Sequence, residues 1–182
     1  MAYESHYWRQ ILKRDLTYLN KKITLTHKEV GDRIDEHFSY VEIKLMTTAY
    51  VIRKLADSGK LPDNTLNKAV SVICYNRNKS EPSRPFIDIE REYNFNSKSV
   101  TALPLRDICN QIIHSYILQV VGNNKRAFSE FWVTSDFNKE YYLYEISLKQ
   151  YIKTLRQVAN IQVTKLTTSF DEKKGKWIYR RS

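Results

Sequence analysis

Residues Ile34 to Leu55 read IDEHFSYVEIKLMTTAYVIRKL and carry the strongest periodicity in the chain. Ile34, Phe38, Val41, Leu45, Thr48, Ile52 and Leu55 alternate by four and three, the spacing of a helical packing seam. Ile43, Met46, Tyr50 and Val51 add a second apolar face, which predicts a central helix contacted from two sides. Asp57-Ser58-Gly59 and Pro62 close it, because glycine relieves the last turn and proline cannot continue it. Towards the N-terminus, residues 4–22 predict a first helix. Tyr7/Trp8, Ile11/Leu12, Leu16, Leu19 and Ile23 recur every three or four positions, with Arg9, Lys13, Arg14 and Lys21 between them.

Towards the C-terminus the period changes. Val70, Val72 and Cys74 alternate with Ser71, Ile73 and Tyr75, as in a strand rich in β-branched residues. Asn76 to Ser80, with Pro82 and Pro85, reads as a polar loop, and Phe86, Ile87 and Ile89 as a short second strand. A third helix is expected from near Pro104, turning Leu105, Ile108, Cys109, Ile112, Ile113 and Tyr116 inward. Residues 128–134 and 141–146 read as strands around the turn Ser135-Asp136-Phe137-Asn138-Lys139. Ser147 is placed to cap a fourth helix bearing Leu148, Ile152, Leu155 and Val158. The tail from Ile161 to Arg181 predicts a hairpin turning at Asp171 to Gly175. The expected class is α+β in a single domain over 1–182. Its core is mainly helical, about 4–60 and 104–117, with antiparallel β-hairpins attached within about 66–93, 128–146 and 161–181.

Composition narrows the function classes. The 182 residues hold 30 Lys+Arg against 20 Asp+Glu, a formal charge of +10, and are 42% hydrophobic, which excludes wholesale disorder. The two cysteines, Cys74 and Cys109, cannot build a disulfide framework or a four-thiolate zinc site. Gly31, Gly59, Gly122 and Gly175 are too dispersed for any glycine-rich phosphate loop. No apolar run approaches the ~20 residues of a membrane-spanning helix. The start, MAYESHYWRQILKRD, lacks the apolar core of an export signal, so no membrane association and a cytoplasmic location are expected. The positive excess favours an anionic partner, of which nucleic acid is the commonest.

One segment concentrates chemistry. Leu103 to Tyr116 reads LPLRDICNQIIHSY, and Arg106, Asn110 and His114 follow at steps of four, each rotated about 40° from the last. Asp107 lies seven before His114, so Arg, Asp, Asn, Gln111 and His share one side of an otherwise apolar helix. A histidine can move a proton near neutrality, an arginine can hold a phosphate, and Asn or Asp can fix the imidazole tautomer. The bland alternative is a histidine satisfied in the core or at an interface. Cys109 sits about 140° around the helix from His114, too far for a nucleophile pair, and reads as a buried thiol.

The segment Cys109-Asn110-Gln111-Ile112-Ile113-His114 resembles the motif of HEPN-domain proteins, a helical family with many RNA-cleaving members. Their pattern is Arg, four to six residues, then His, with a polar residue directly after the Arg. Here Cys109 occupies the Arg position, and Arg106, one turn upstream, is the nearest substitute. The segments ESHYWRQILKRDLTYL, AYVIRKLADSGKL, LRDICNQIIH and FWVTSDFNKEYYLYEI are also similar to small bacterial proteins of this shape. The HEPN resemblance implies long antiparallel helices and a homodimer joined through the motif helix. It also implies a metal-independent endoribonuclease of toxin or defence type that needs no cofactor. In that scheme His114 is the general acid/base, Arg106 stabilises phosphorane charge and Asn110 orients them, while Asp107 and Gln111 meet substrate. A member whose Arg is lost would instead be a non-catalytic dimerisation or nucleic-acid-binding module.

Two further constellations compete. Asp88 and Glu90, read on one face of a strand, could hold Mg²⁺ as in a metal-dependent nuclease, although Glu90 is followed by Arg91 where that architecture wants a Lys two residues after the acid. His6, His27 and His37 are too scattered for metal-ligand spacing. Basic residues interleave with aromatics in the tail and cluster near residue 80. Arg77, Lys79, Arg84, Lys174 and Arg180 are candidates for RNA phosphates, and Trp177 for base stacking.

Overall fold

The computed structural model describes residues 2–78 and 88–182; Lys79, Arg84 and the strand residues Phe86 and Ile87 lie outside the described residues. Among the described residues the helices are α1 (Ala2–Lys22), α2 (His27–Val30), α3 (Ile34–Asp57), α4 (Ile89–Glu92), α5 (Leu105–Ile113) and α6 (Leu148–Asn160). The strands are β1 (Ala69–Arg77), β2 (Tyr93–Pro104), β3 (Ser115–Val121), β4 (Glu130–Ser135), β5 (Tyr142–Ser147), β6 (Leu166–Asp171) and β7 (Lys176–Arg181).

The alternating run in β1 becomes an inner strand, paired with β2 on one side and β5 on the other. This overturns the expectation of a helical core with attached hairpins. β1 to β5 form one five-stranded antiparallel sheet in the order β2-β1-β5-β4-β3. Val70, Val72 and Cys74 of β1, Phe131 and Val133 of β4 and Ile146 of β5 turn to one face of it. There they join Leu12, Leu16 and Leu19 of α1, Leu45 and Ile52 of α3, Ile108 and Ile112 of α5, and Leu155 and Val158 of α6 in one buried cluster. Each such side chain contributes about 1.5–3 kcal/mol by leaving water. The sheet was hidden because β2 is an edge strand with most of its residues exposed, so it carries no apolar alternation.

The opposite face of the sheet holds a smaller aromatic layer. Tyr75, Tyr93, Ile117 and Leu143 are buried there with Phe95 and Trp132 packed on them. Glu145 accepts hydrogen bonds from the Tyr75 hydroxyl at 3.0 Å and the Trp132 indole at 3.1 Å. Burial, then the bond to Glu145, pushes the Tyr75 phenol up to about 12.

α3 packs its inner seam as expected, with Val41, Leu45, Thr48, Ile52 and Leu55 all buried. Thr48 shares a hydrogen bond of 3.1 Å with the fully buried Tyr151 hydroxyl of α6. Asp15 of α1, also buried, is held by Lys44 of α3 at 3.0 Å. Among the described residues the expected second contacted face is largely uncovered: Ile43, Met46 and Tyr50 stand exposed, with Trp8 beside Tyr50, and of that set only Val51 is buried. No helix among the described residues is long and apolar enough to cross a membrane.

Candidate functional site

Pro104 directly precedes α5, where its missing N–H costs nothing. The helix ends at Ile113, one residue before His114 and three before the Tyr116 expected in it. His114 takes φ −106° and ψ 30°, and β3 begins at Ser115, paired with Ser135 of β4. The His114 N–H donates to the Asn110 carbonyl at 3.0 Å, and its own carbonyl accepts from the Asp136 N–H at 3.1 Å. The backbone is thus fixed from the helix and from the β4–β5 turn, while the imidazole is exposed.

The imidazole borders a cleft of about 550 Å³ that also takes in Asp107, Asn110 and Gln111. Four of the residues singled out in the sequence therefore share one cavity. Arg106 does not line it and stands exposed on the outer side of α5. An arginine is present all the same. Arg53 of α3 lines the cleft, and its guanidinium donates to the Asn110 side-chain oxygen. Asp57, one turn on, lies 3.7 Å from the same guanidinium, and Arg53 Nε is buried with no partner among the described residues. A cation fixed by one amide and one exposed carboxylate keeps donors available for an incoming anion.

The remaining wall comes from the β4–β5 turn and β5: Ser135, Phe137, Asn138 and Tyr144. Phe137 is 85% exposed at the rim. Tyr144 is buried deeper, and burial, followed by the charges at Cys74, Tyr142 and Asp107, pushes its phenol up to about 12. It is a neutral hydrogen-bond donor at physiological pH. Gln111 has a different task, because its side-chain oxygen accepts the Ser135 N–H at 2.7 Å and ties α5 to β4. Cys109 is completely buried and its thiol is pushed up to about 12 by burial, so it supplies no nucleophile.

The other candidates are dispersed. Asp88 and Glu90 do not share a strand face. Asp88 caps the single turn of α4 by accepting the Arg91 N–H, and Glu90 lies within that turn. Both border a hollow of about 610 Å³ against β3, but no cluster of three metal-ligating residues forms among the described residues. Arg77 is buried in an ion pair with Glu92 at 2.5 Å, and its guanidinium lies over the Tyr93 ring, so it is not presented to a nucleic acid. Lys174, Trp177 and Arg180 are exposed on the β6–β7 hairpin. Strand alternation puts Trp177, beside Phe170, on the same face as Tyr179, and Arg180 on the other.

Arg53 was missed because it follows the core residue Ile52 and reads as a solvated helix charge, and its partner Asn110 is 57 positions away. Phe137 did carry a signal, a lone aromatic inside a polar turn. Comparison of the chain with protein-family models, curated proteins and solved structures gives no match. Class and site are therefore defined by geometry alone: a helix-backed antiparallel sheet with an aromatic-rimmed cleft at the end of α5 that brings Arg53, Asp107 and His114 together.

Proposed function

We propose that this cleft binds the sugar–phosphate backbone of RNA and cuts it by metal-independent transesterification. The observation that carries the reading is the position of Arg53, which reaches Asn110 one turn before His114 and supplies the cation that Cys109 lacks. In the reaction the ribose 2′-hydroxyl passes its proton to His114 as its oxygen bonds to phosphorus. The bond from phosphorus to the 5′-oxygen breaks, and the proton is delivered to that leaving oxygen. A 2′,3′-cyclic phosphate and a 5′-hydroxyl remain. Arg53 faces the charge developing on the non-bridging oxygens, a contribution of about 10²–10³-fold for a well-placed donor. Asn110 orients Arg53, the Tyr144 phenol donates a further hydrogen bond, and Phe137 offers a face for the adjoining base.

The reading rests on the cleft rather than on a helical fold. It suits a toxin or defence nuclease acting in the cytoplasm. The test is cleavage of a mixed RNA panel in EDTA by wild type, His114→Ala and Arg53→Ala. Cyclic-phosphate ends from wild type, lost in both variants, are the expected result. Equal cutting by all three would overturn it. A second reading, RNA binding without cleavage, draws on the exposed Trp177 and Tyr179 of the hairpin and is what remains if RNA is bound but left intact by all three.

A further inference from the structure

The uncovered face of α3 has a regular pattern of its own. Glu36, Tyr40, Ile43, Thr47, Tyr50, Lys54 and Asp57 again alternate by four and three, two positions on from the inner seam and so about 160° around the helix from it. Tyr40, Ile43 and Tyr50 are 47%, 54% and 52% exposed. The stripe is flanked on one side by a groove of about 400 Å³ between Ile43, Met46 and Leu118. On the other side Trp8 of α1 packs edge-on against Tyr50 at 6.0 Å between ring centres. A heptad-spaced stripe whose central Tyr40, Ile43 and Tyr50 remain about half exposed, even with Trp8 against Tyr50, has the form of half a helix–helix contact.

The charges on the stripe say what covers it. Glu36 flanks the apolar positions of the seam on one side and Lys54 on the other, both exposed, while Asp57 beyond Lys54 pairs with Arg53. A second α3 lying antiparallel about an axis at Leu45 places Glu36 opposite the partner's Lys54 and Tyr40 opposite the partner's Tyr50. Ile43 then meets the partner's Thr47, and each pairing occurs twice. The parallel arrangement would set Glu36 against its own copy, and Lys54 likewise, which is repulsive. We infer that the protein forms a two-fold homodimer through the outer seam of α3, with Glu36 and Lys54 setting its antiparallel direction. The contact does not involve α5, whose exposed edge is polar, and it stands independently of the proposed cleavage.

Sedimentation velocity of the full chain, with circular dichroism as the folding control, tests this. Wild type is expected at twice the 21.7 kDa chain mass. Glu36→Lys and Lys54→Glu each turn two attractive pairs into repulsive ones and should weaken the dimer by about tenfold or more. The double variant Glu36→Lys/Lys54→Glu restores opposite charges across the axis and should dimerise like wild type. Ile43→Asp should leave folded monomer. A wild type that stays monomeric up to roughly 0.5 mM, where even a weak interface is populated, overturns the proposal and assigns the seam to a different protein. A folded double variant no better than the singles overturns the antiparallel pairing.

Discussion

The cleft at the end of α5 and the C-terminal hairpin both combine cations with aromatic rings, yet they are built in opposite ways. The cleft draws Arg53 from α3, Asn110 and His114 from α5 and its cap, and Phe137 from the β4–β5 turn. These elements are not neighbours in sequence, and α3, α5 and the His114 backbone are anchored in the core or the sheet. The hairpin takes everything from 16 consecutive residues, Leu166–Arg181, and shows both of its faces to water. It is tied to the body where Asp63 pairs with Arg181, whose N–H donates to the Asp63 carboxylate at 2.9 Å. The contrast teaches that side-chain type alone does not make a site. Preorganisation does, and it comes from convergence of distant elements on a packed frame.

If the cleft is the working site, the largest effect belongs to His114→Ala. RNA cleavage should fall by about 10²–10⁴-fold, with the melting temperature unchanged because the ring is exposed. Next, Arg53→Ala should cost about 10²–10³ in kcat, while Arg106→Ala, outside the cleft, should stay within about twofold of wild type. An equal loss from both arginines in single-turnover kinetics would erase the distinction between them.

The packed frame has its own signature in alkali. Burial raises the Cys109 thiol and the Tyr75 and Tyr144 phenols to about 12 in the folded chain. Their stabilising contribution is complete below the unfolded values of 9.0 for Cys and 10.0 for Tyr, and is lost as pH rises towards 12. For fully buried Cys109 the slope is about 1.4 kcal/mol per pH unit in that window. Urea titrations at pH 8 and 10.5 should show the fall, and Cys109→Ser should reduce it.

Phe137→Ala should raise KM about tenfold at nearly constant kcat, as expected for removal of one stacking face. The smallest effect is expected at the hairpin. Trp177→Ala should weaken RNA binding only a few-fold in a fluorescence titration, without altering cleavage of bound RNA. A hairpin substitution more damaging to turnover than His114→Ala would invert the comparison.

Much of this molecule was legible residue by residue. The inner seam of α3, the entry to α5 at Pro104, the start of α6 at Leu148 and the turn of the last hairpin stand where their periodicity and breakers put them, although the Ser147 side chain makes no cap bond to α6. Asn110 and His114 were also legible as a pair, because a step of four on a helix fixes their relation. The exit from α5 was not. Ile112, Ile113 and Tyr116 continue a helical period, and Tyr116, Ile117 and Leu118 follow as a short apolar run before Gln119, which does not distinguish helix from buried strand. β2 was hidden for the opposite reason, since an edge strand open to solvent has little apolar pattern to show.

The sequence by itself determined the course of α1, α3 and α6, the start of α5 with its polar side, the alternating run of β1 and the last hairpin, because each depends on spacing within a few turns of chain. The tertiary structure alone decided that five strands join into one sheet, that Arg53 reaches Asn110 and lines the same cleft as His114, and that Tyr40, Ile43 and Tyr50 of α3 stay exposed among the described residues. Those outcomes are set by which distant surfaces bury each other, and a periodic pattern specifies a face to be covered without specifying what covers it.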